Sequence, residues 1–358
     1  PRLGETIDAI ETGIRKLVGS PACELFMFAS NGHGAWETTV ENLVAPGGTV
    51  LIPGTGHFSE SWAVQTEGLG RRVVRTPYRE GYPANPAEVE AALRADTKRE
   101  IVAVFAVHTD TASSTTNDLV AMKKAINDAG HPALFVVDVV ASLGAAPFAM
   151  DALGVDVAVG ACQKGLMSPP GLGFVAINTR ASEVASGNPA PRFYWDWKRR
   201  QAAYSYNKFC GTPPQNLLFG IEAALELIAL EGLEQVIARH ALLSRAVHAA
   251  VECWSREGVL AFHCKVPSAR SVSVTTIEVR EGFDAEAMRT VARERFQVAI
   301  AGALGKQTGK GFRIGHLGDM NPAMVLGCLG GIEAAMRVQG IPFGRDGVQK
   351  AVDCLAEG

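Results

Sequence analysis

Asp138 in FVVDVVAS and Lys164 in VGACQKGLMSPPG stand 26 residues apart. Each follows a short apolar run, residues 133–137 and 155–159, with the length and composition of a buried strand. In an open α/β sheet, ligands bind in the crevice beyond the carboxyl ends of the strands. An acid and a lysine are thus delivered to one place. A desolvated lysine gives up its proton readily, which suits condensation with an aldehyde and later proton transfer. A carboxylate near a cation stays ionised at neutral pH, so the acid can hold a pyridine nitrogen in its protonated form. Those are the two services that pyridoxal 5'-phosphate asks of a protein. Plainer readings exist: Asp138 as a helix cap and Lys164 as a solvated lysine, as most lysines are. The small-residue setting Ala161-Cys162-Gln163-Lys164-Gly165, before the rigid Pro169-Pro170-Gly171 turn, favours the chemical reading of the pair.

Further groups suit the same chemistry. Asn31-Gly32-His33-Gly34 follows the apolar run 25–29 and opens a helix with apolar face Trp36, Val40, Leu43 and Val44. Small residues there let backbone N–H groups approach an anion at the positive helix end, which favours phosphate. The spacing fits neither GxGxxG nor the Walker loop, so a dinucleotide or nucleoside triphosphate is not expected. Arg313 in FRIGHLGDMN sits inside an apolar strand, where an arginine needs an anionic partner; its functional form is a bidentate clamp on a substrate α-carboxylate. His316 reads as a satisfied polar residue. Phe58 in GTGHFSESW reads equally as core or as the flat face under a cofactor ring. Trp195, Trp197 and Lys198-Arg199-Arg200 read as a surface or subunit-contact segment.

The elements that position these residues alternate. Strand-sized runs at 25–29, 49–53, 101–107, 133–138, 155–161 and 173–178 are separated by helical patterns at 34–45, 59–69, 86–95 and 118–129. Asn85-Pro86-Ala87-Glu88 is a helix start, with a capping Asn, Pro at the first position and Glu at the third. Such alternation predicts an α/β fold with a mostly parallel sheet covered on both faces. Beyond Pro214, helical patterns at 216–230 and 233–254 lead to a strand at 271–279, a helix at 284–296, a strand at 312–318 and a helix at 322–338. The expectation is a large domain over residues 1–240 and a smaller C-terminal α+β domain over 241–358.

Composition narrows the class. Hydrophobic residues make up 47% and charged residues 20% of 358, enough to bury two cores. A net charge of −3 without basic runs argues against nucleic acid or a membrane surface as partner. The apolar stretches are strand-sized, so no transmembrane helix is expected. Seven scattered cysteines without a CxxC pair suit a reducing, cytoplasmic setting and make a metal site unexpected. The chain opens at Pro1 with helical spacing already under way at Ile7, Ile10, Ile14 and Leu17, so its start reads as the interior of a longer fold.

The chain resembles the class V aminotransferases, in the branch of alanine–glyoxylate and serine–glyoxylate aminotransferases. The likeness spans essentially the whole chain. It is carried by SNGHGAWE (30–37), GTGHF (54–58), HTDTASS (108–114), VVDVVASLGA (136–145), the Gln-Lys-Gly to Pro-Pro-Gly stretch (163–171), GTPPQNLLFGIEAALELI (211–228), GLEQVIARH (232–240) and FRIGHLGD (312–319). The resemblance implies a type I fold of pyridoxal-phosphate transferases, assembled as a homodimer with shared active sites. It implies Lys164 as the Schiff-base lysine, Asp138 as the pyridinium partner and Phe58 stacked on the ring. Gly32, His33 and Gln163 would bind the phosphate with Thr212 of the other subunit. Thr111 would lie near the phenolic oxygen, Val140 would pack on the opposite ring face, and Arg313 would hold the substrate carboxylate. Two positions depart from the family pattern: Asn31 where a small residue or Ser is usual, and Phe209 where a Tyr is common. The family's Gly/Pro-rich N-terminal segment, which lines the substrate pocket, would precede Pro1.

The implied reaction is ping-pong transamination from serine, alanine or a related donor to glyoxylate or pyruvate. One rival is a specialised donor, aspartate or ureidoglycine, with glyoxylate. A class V lyase, cysteine desulfurase-like or kynureninase-like, is disfavoured because Gln163 precedes the lysine where desulfurases carry His, and no cysteine sits in a flexible Gly/Ser-rich loop. A cofactor-less binding protein on an inherited fold is disfavoured by the intact Lys164, Asp138 and Arg313.

Overall fold

The structure, a computed structural model, describes residues 2–358. Its larger sheet is built from β1 (Glu24–Phe28), β2 (Thr49–Ile52), β3 (Arg72–Arg75) and β4 (Ile101–Val107). A small hairpin follows, β5 (Thr109–Asp110) and β6 (Thr115–Thr116). The sheet is completed by β7 (Leu134–Asp138), β8 (Val157–Ala161) and β9 (Gly173–Ile177), in the order β1-β9-β8-β7-β4-β2-β3. Neighbours from β8 to β3 are parallel. β9 is antiparallel to both β8 and β1, so β1 runs the same way as the parallel strands. Six strands therefore end at one edge, and this edge carries the site.

Alternation along each strand feeds two cores, because successive side chains point to opposite faces. Val104, Ala106, Phe135 and Val137 pack into one, with helix α1 (Arg2–Leu17) contributing Ile7, Ile10 and Ile14. Ala103, Phe105, Leu134 and Val136 pack into the other, under α2 (Gly32–Leu43) and α3 (His57–Gly68). A sheet buried on both faces is what the near-continuous apolar runs require.

The smaller sheet, β10 (Leu260–Phe262), β11 (Val274–Val279), β12 (Ala301–Gly302) and β13 (Gly311–Gly315), is antiparallel in the order β10-β11-β13-β12. Its own core joins Ile277, Phe312 and Ile314 to the helices Leu233–Trp254, Ala285–Phe296 and Pro322–Val338. Residue 240 lies inside the unbroken helix Leu233–Trp254, where His240 Nε2 accepts the Gly318 N–H at 2.9 Å.

Several elements lie outside the expected pattern: β3, β10, the hairpin β5–β6 and the terminal helix Gly347–Glu357. The surface reading of Trp195, Trp197 and Lys198-Arg199-Arg200 holds for the exposed Lys198 and Arg199 and is corrected for Trp197 and Arg200. Trp197 is buried and stacked on Phe26 with ring centroids 5.5 Å apart. Arg200 is 3% exposed and donates to the carbonyls of Tyr194, Met27 and Lys208. A buried guanidinium with its N–H groups spent on carbonyls is structural here. Among the described residues, no helix is long and apolar enough to cross a membrane.

Candidate active site

Each strand end delivers one part of the site. After β1, Asn31 caps α2: its side-chain oxygen accepts the N–H groups of His33 at 3.0 Å and Gly34 at 3.3 Å. After β2, the Gly56 backbone closes on Asp110 so tightly that a Cβ there would lie 2.5 Å from the carboxyl carbon. Asp110 Oδ2 accepts the Phe58 N–H at 2.7 Å, and its Oδ1 takes those of Ala112 and Ser113 at 2.9 Å. One buried carboxylate thus caps α3 and shapes the loop that carries Thr111.

Asp138 is the last residue of β7, beside Val107 in the parallel register. Its Oδ1 accepts the Val140 N–H at 2.7 Å and its Oδ2 the Trp36 indole N–H at 2.9 Å. Lys164 stands three residues beyond β8, in a turn where a Cβ on Gly165 would lie 2.2 Å from the Leu143 carbonyl oxygen. That approach admits only glycine.

These residues meet in one cleft of about 180 Å³. Gly32, His33, Phe58 and Thr111 line it, facing Asp138, Val140, Gln163 and Lys164. Asn31, Trp36 and Thr109 complete the polar and aromatic wall. Two expected residues lie outside that wall. Thr212 is exposed, just before the helix Gln215–Glu231. Arg313, on β13, donates from Nε to the Gly302 carbonyl at 2.8 Å and from Nη1 to the Thr111 carbonyl at 3.0 Å. No carboxylate lies within salt-bridge distance of it among the described residues; the Asp110 charge acts on it from farther off, and burial lowers the guanidinium from its usual range.

Burial sets the electrostatics. Lys164 is held below the usual lysine range by desolvation and then by the Arg313 charge, with Asp138 opposing. Desolvation raises the Asp138 carboxyl to about 7 against the N–H groups of Val140 and Trp36; Asp110 raises it further and Lys164 opposes. The expectation of an ionised Asp138 therefore needs a cation closer than Lys164. His33 is lowered by burial and by His57.

The lining fits a phosphorylated pyridine aldehyde. The Gln163 carboxamide oxygen is buried with no partner, an acceptor awaiting a donor, and its side-chain NH2 is the group that can donate to an anion. Lys164 makes no salt bridge among the described residues, and Asp138 presents a carboxyl whose charge wants a cation. Glycine at residue 32 leaves room against Val140, whose Cγ2 would stand 3.2 Å from an added Cβ.

Sequence reasoning missed two participants. Trp36 was assigned to an apolar helix face, although its indole nitrogen bonds Asp138, 102 residues away. Asp110 lay unremarked within HTDTASS. Its only signal is an acid between residues that read as turn and strand.

The model of the family described as "Aminotransferase class-V" matches residues 2–323. The L-aspartate–glyoxylate aminotransferase of Paracoccus denitrificans is 39% identical over 346 residues, covering 96% of this chain and 86% of its own. The serine–glyoxylate aminotransferase of Methylorubrum extorquens is 39% identical, with 91% and 82% covered. The crystal structure of ureidoglycine–glyoxylate aminotransferase from Bacillus subtilis superposes with a TM-score of 0.90 at 24% identity, over 100% of this chain and 91% of that one.

Proposed function

This chain belongs to the class V aminotransferases, and on that footing we propose that it moves an amino group from a small amino acid to glyoxylate or pyruvate at the cleft around Lys164. The observation that carries this reading is the convergence of a half-buried lysine without a salt bridge, a buried carboxyl and a Gln163 side chain with an unpartnered oxygen at one sheet edge.

The residues that would hold pyridoxal phosphate are Gly32, His33 and Gln163 at its phosphate, Asp138 at its nitrogen, Thr111 near its phenolic oxygen, and Phe58 and Val140 on its two faces. When bound, the cofactor supplies the carbonyl with which a lysine condenses and the electron sink for bonds broken at the substrate's α-carbon. Lys164 Nζ, desolvated and without a salt bridge, would take the proton from the substrate's α-carbon and deliver it to a different carbon, the shift that amino transfer requires. Arg313, with Nε and one Nη1 hydrogen fixed on carbonyls, offers its remaining N–H groups to the α-carboxylate. The Asn31 cap already holds the His33 and Gly34 amides, so the Gln163 side-chain NH2 and the Gly32 amide carry more of the anion.

Exposure of Thr212, with Tyr204 and Tyr206 nearby at 69% and 53%, supports a homodimer in which this segment reaches the partner's phosphate site. Phe209 is buried and offers no hydroxyl. The cysteines, all free, support a cytoplasmic setting.

Aspartate gains weight as donor from the Paracoccus relative, and serine from the Methylorubrum one. The test is the visible spectrum of the cofactor-loaded protein with serine, alanine and aspartate added separately. The active donor bleaches the band and glyoxylate restores it. A band that no donor converts would overturn transamination.

A further inference from the structure

Asp138 is the residue on which the site's electronics depend, yet nothing on its own strand fixes both of its oxygens. Oδ1 is held locally by the Val140 N–H. Oδ2 is held from α2, by the Trp36 indole nitrogen at 2.9 Å, in a buried contact. The indole is itself held. Its ring stacks on Trp62, centroids 5.2 Å apart and planes 10° apart, and Trp62 stacks on Phe105 at 4.7 Å and 18°. Phe105 lies on β4, next to β7 in register with Val136. The stack therefore returns to the strand pair that carries Asp138, closing a rigid loop from sheet to helix and back. The His33 ring stands 4.5 Å from that of Trp36, so the same side chain also touches the α2 end of the cleft.

We propose that Trp36 is a positioning residue: its indole N–H, locked by the Trp62–Phe105 stack, sets the orientation and charge preference of the Asp138 carboxylate toward the cofactor's pyridine nitrogen. The proposal rests on the cofactor reading above. A tryptophan on this helix face would serve as core without any hydrogen bond, and Trp62 shows the contrast. It is fully buried in the same stack, and its indole nitrogen has no partner. Stacking and donation are thus divided between neighbours, with Trp36 alone aimed at the acid. A donor to a carboxylate favours its charged form, and in a desolvated setting that preference is amplified. The other charged groups facing Asp138 are Asp110, which opposes ionisation, and Lys164, which favours it.

The experiment reads the protein before the cofactor is added, so it stands apart from the cofactor reading. Carbon-13 labelled aspartate, assigned with an Asp138→Asn variant, gives the Asp138 titration directly. In Trp36→Phe the midpoint moves up by half a pH unit or more, and in Trp62→Phe, which thins the stack but spares the donor, it stays. An unmoved midpoint in Trp36→Phe, or an equal shift in both variants, would overturn the proposal. A measurement on the unmutated protein guards against a variant that fails to fold: the Trp36 indole ¹⁵N–H resonance titrates with the Asp138 midpoint, and a flat response would also overturn it. Pyridoxal phosphate is then added. Its dissociation constant rises about tenfold in Trp36→Phe relative to Trp62→Phe. If the unmutated protein takes up no cofactor at all, the function proposal fails while the titration still judges Trp36.

Discussion

At the scale of single residues, the site is a set of groups held out of their ordinary charge balance. Among the described residues Lys164 and Arg313 form no close ion pair, with Asp138 and Asp110 acting on them only from a distance, and the Gln163 oxygen has no hydrogen-bond partner. Those vacancies suit a carbonyl, an anion and a hydrogen-bond donor. Lys164→Ala should cut amino transfer by about 10²- to 10⁴-fold, the usual worth of a positioned proton-transfer group. Single-turnover measurements at saturating donor check this, and added methylamine should restore part of the rate. Arg313→Leu should raise the donor's KM by roughly 10²-fold, the effect of leaving a carboxylate buried without its pair. Arg313→Lys should recover little, because a point charge cannot replace a fork already oriented by the Gly302 and Thr111 carbonyls. An unchanged KM in either variant would dismiss the clamp. Asp138, Lys164 and Arg313 were legible in the sequence because each is a charge in an apolar or small-residue context. Trp36 was not, because a tryptophan at an apolar helix position announces burial and nothing of what its nitrogen does.

At the scale of elements, the strand ends aim the chemistry, and capping groups fix the angle. Asp110 satisfies three N–H groups from two elements at once. Asp110→Ala should therefore destabilise the protein by about 2–4 kcal/mol, more than an ordinary cap, since buried donors are left unpaired. It should also weaken cofactor affinity, because Phe58 loses the anchor of its own backbone. Chemical denaturation and cofactor titration measure the two effects, and loss of stability with full affinity would show that Phe58 is placed by packing alone. The central strands and the flanking helices were legible because their apolar periods are strong. β3, RVVR, was not: it is an edge strand with mostly exposed side chains, so the sheet and not the sequence pattern makes it a strand. The helix Gly347–Glu357 was passed over although its Ala351 is buried beside Trp254 and Leu243 in the smaller core.

At the scale of the whole molecule, the two sheets are joined at the site itself. The Ala112 carbonyl accepts the Thr276 hydroxyl at 2.9 Å, the Ser114 carbonyl accepts the Ser271 N–H at 3.0 Å, and the Ser114 and Thr276 hydroxyls meet. Folding of the smaller unit is therefore felt at Thr111 and Arg313, and global stability reports on site charge. Three histidines, His108 and His316 buried and His248 half-buried, have their pKa pushed down by desolvation, His108 and His248 to about 4 and His316 to about 3. Asp138 is pushed up to about 7. Between pH 5 and 6 the unfolded chain binds protons on those histidines that the native protein refuses, so stability falls as pH falls. Asp138 acts in the opposite sense: the native protein holds its proton and the unfolded chain does not, so this term loses stability as pH rises toward 7. The two partly cancel in the cofactor-free protein. Asp138→Ala removes the opposing term, and its stability should climb with pH more steeply than that of the unmutated protein, by about 1.4 kcal/mol per pH unit. The orphaned Val140 and Trp36 N–H groups lower the variant's stability at every pH alike and leave the slope untouched. Urea unfolding at several pH values between 5 and 6 measures both slopes. Equal slopes would mean that Asp138 is already ionised without its cofactor, and that the site's electron sink is set before any ring nitrogen arrives.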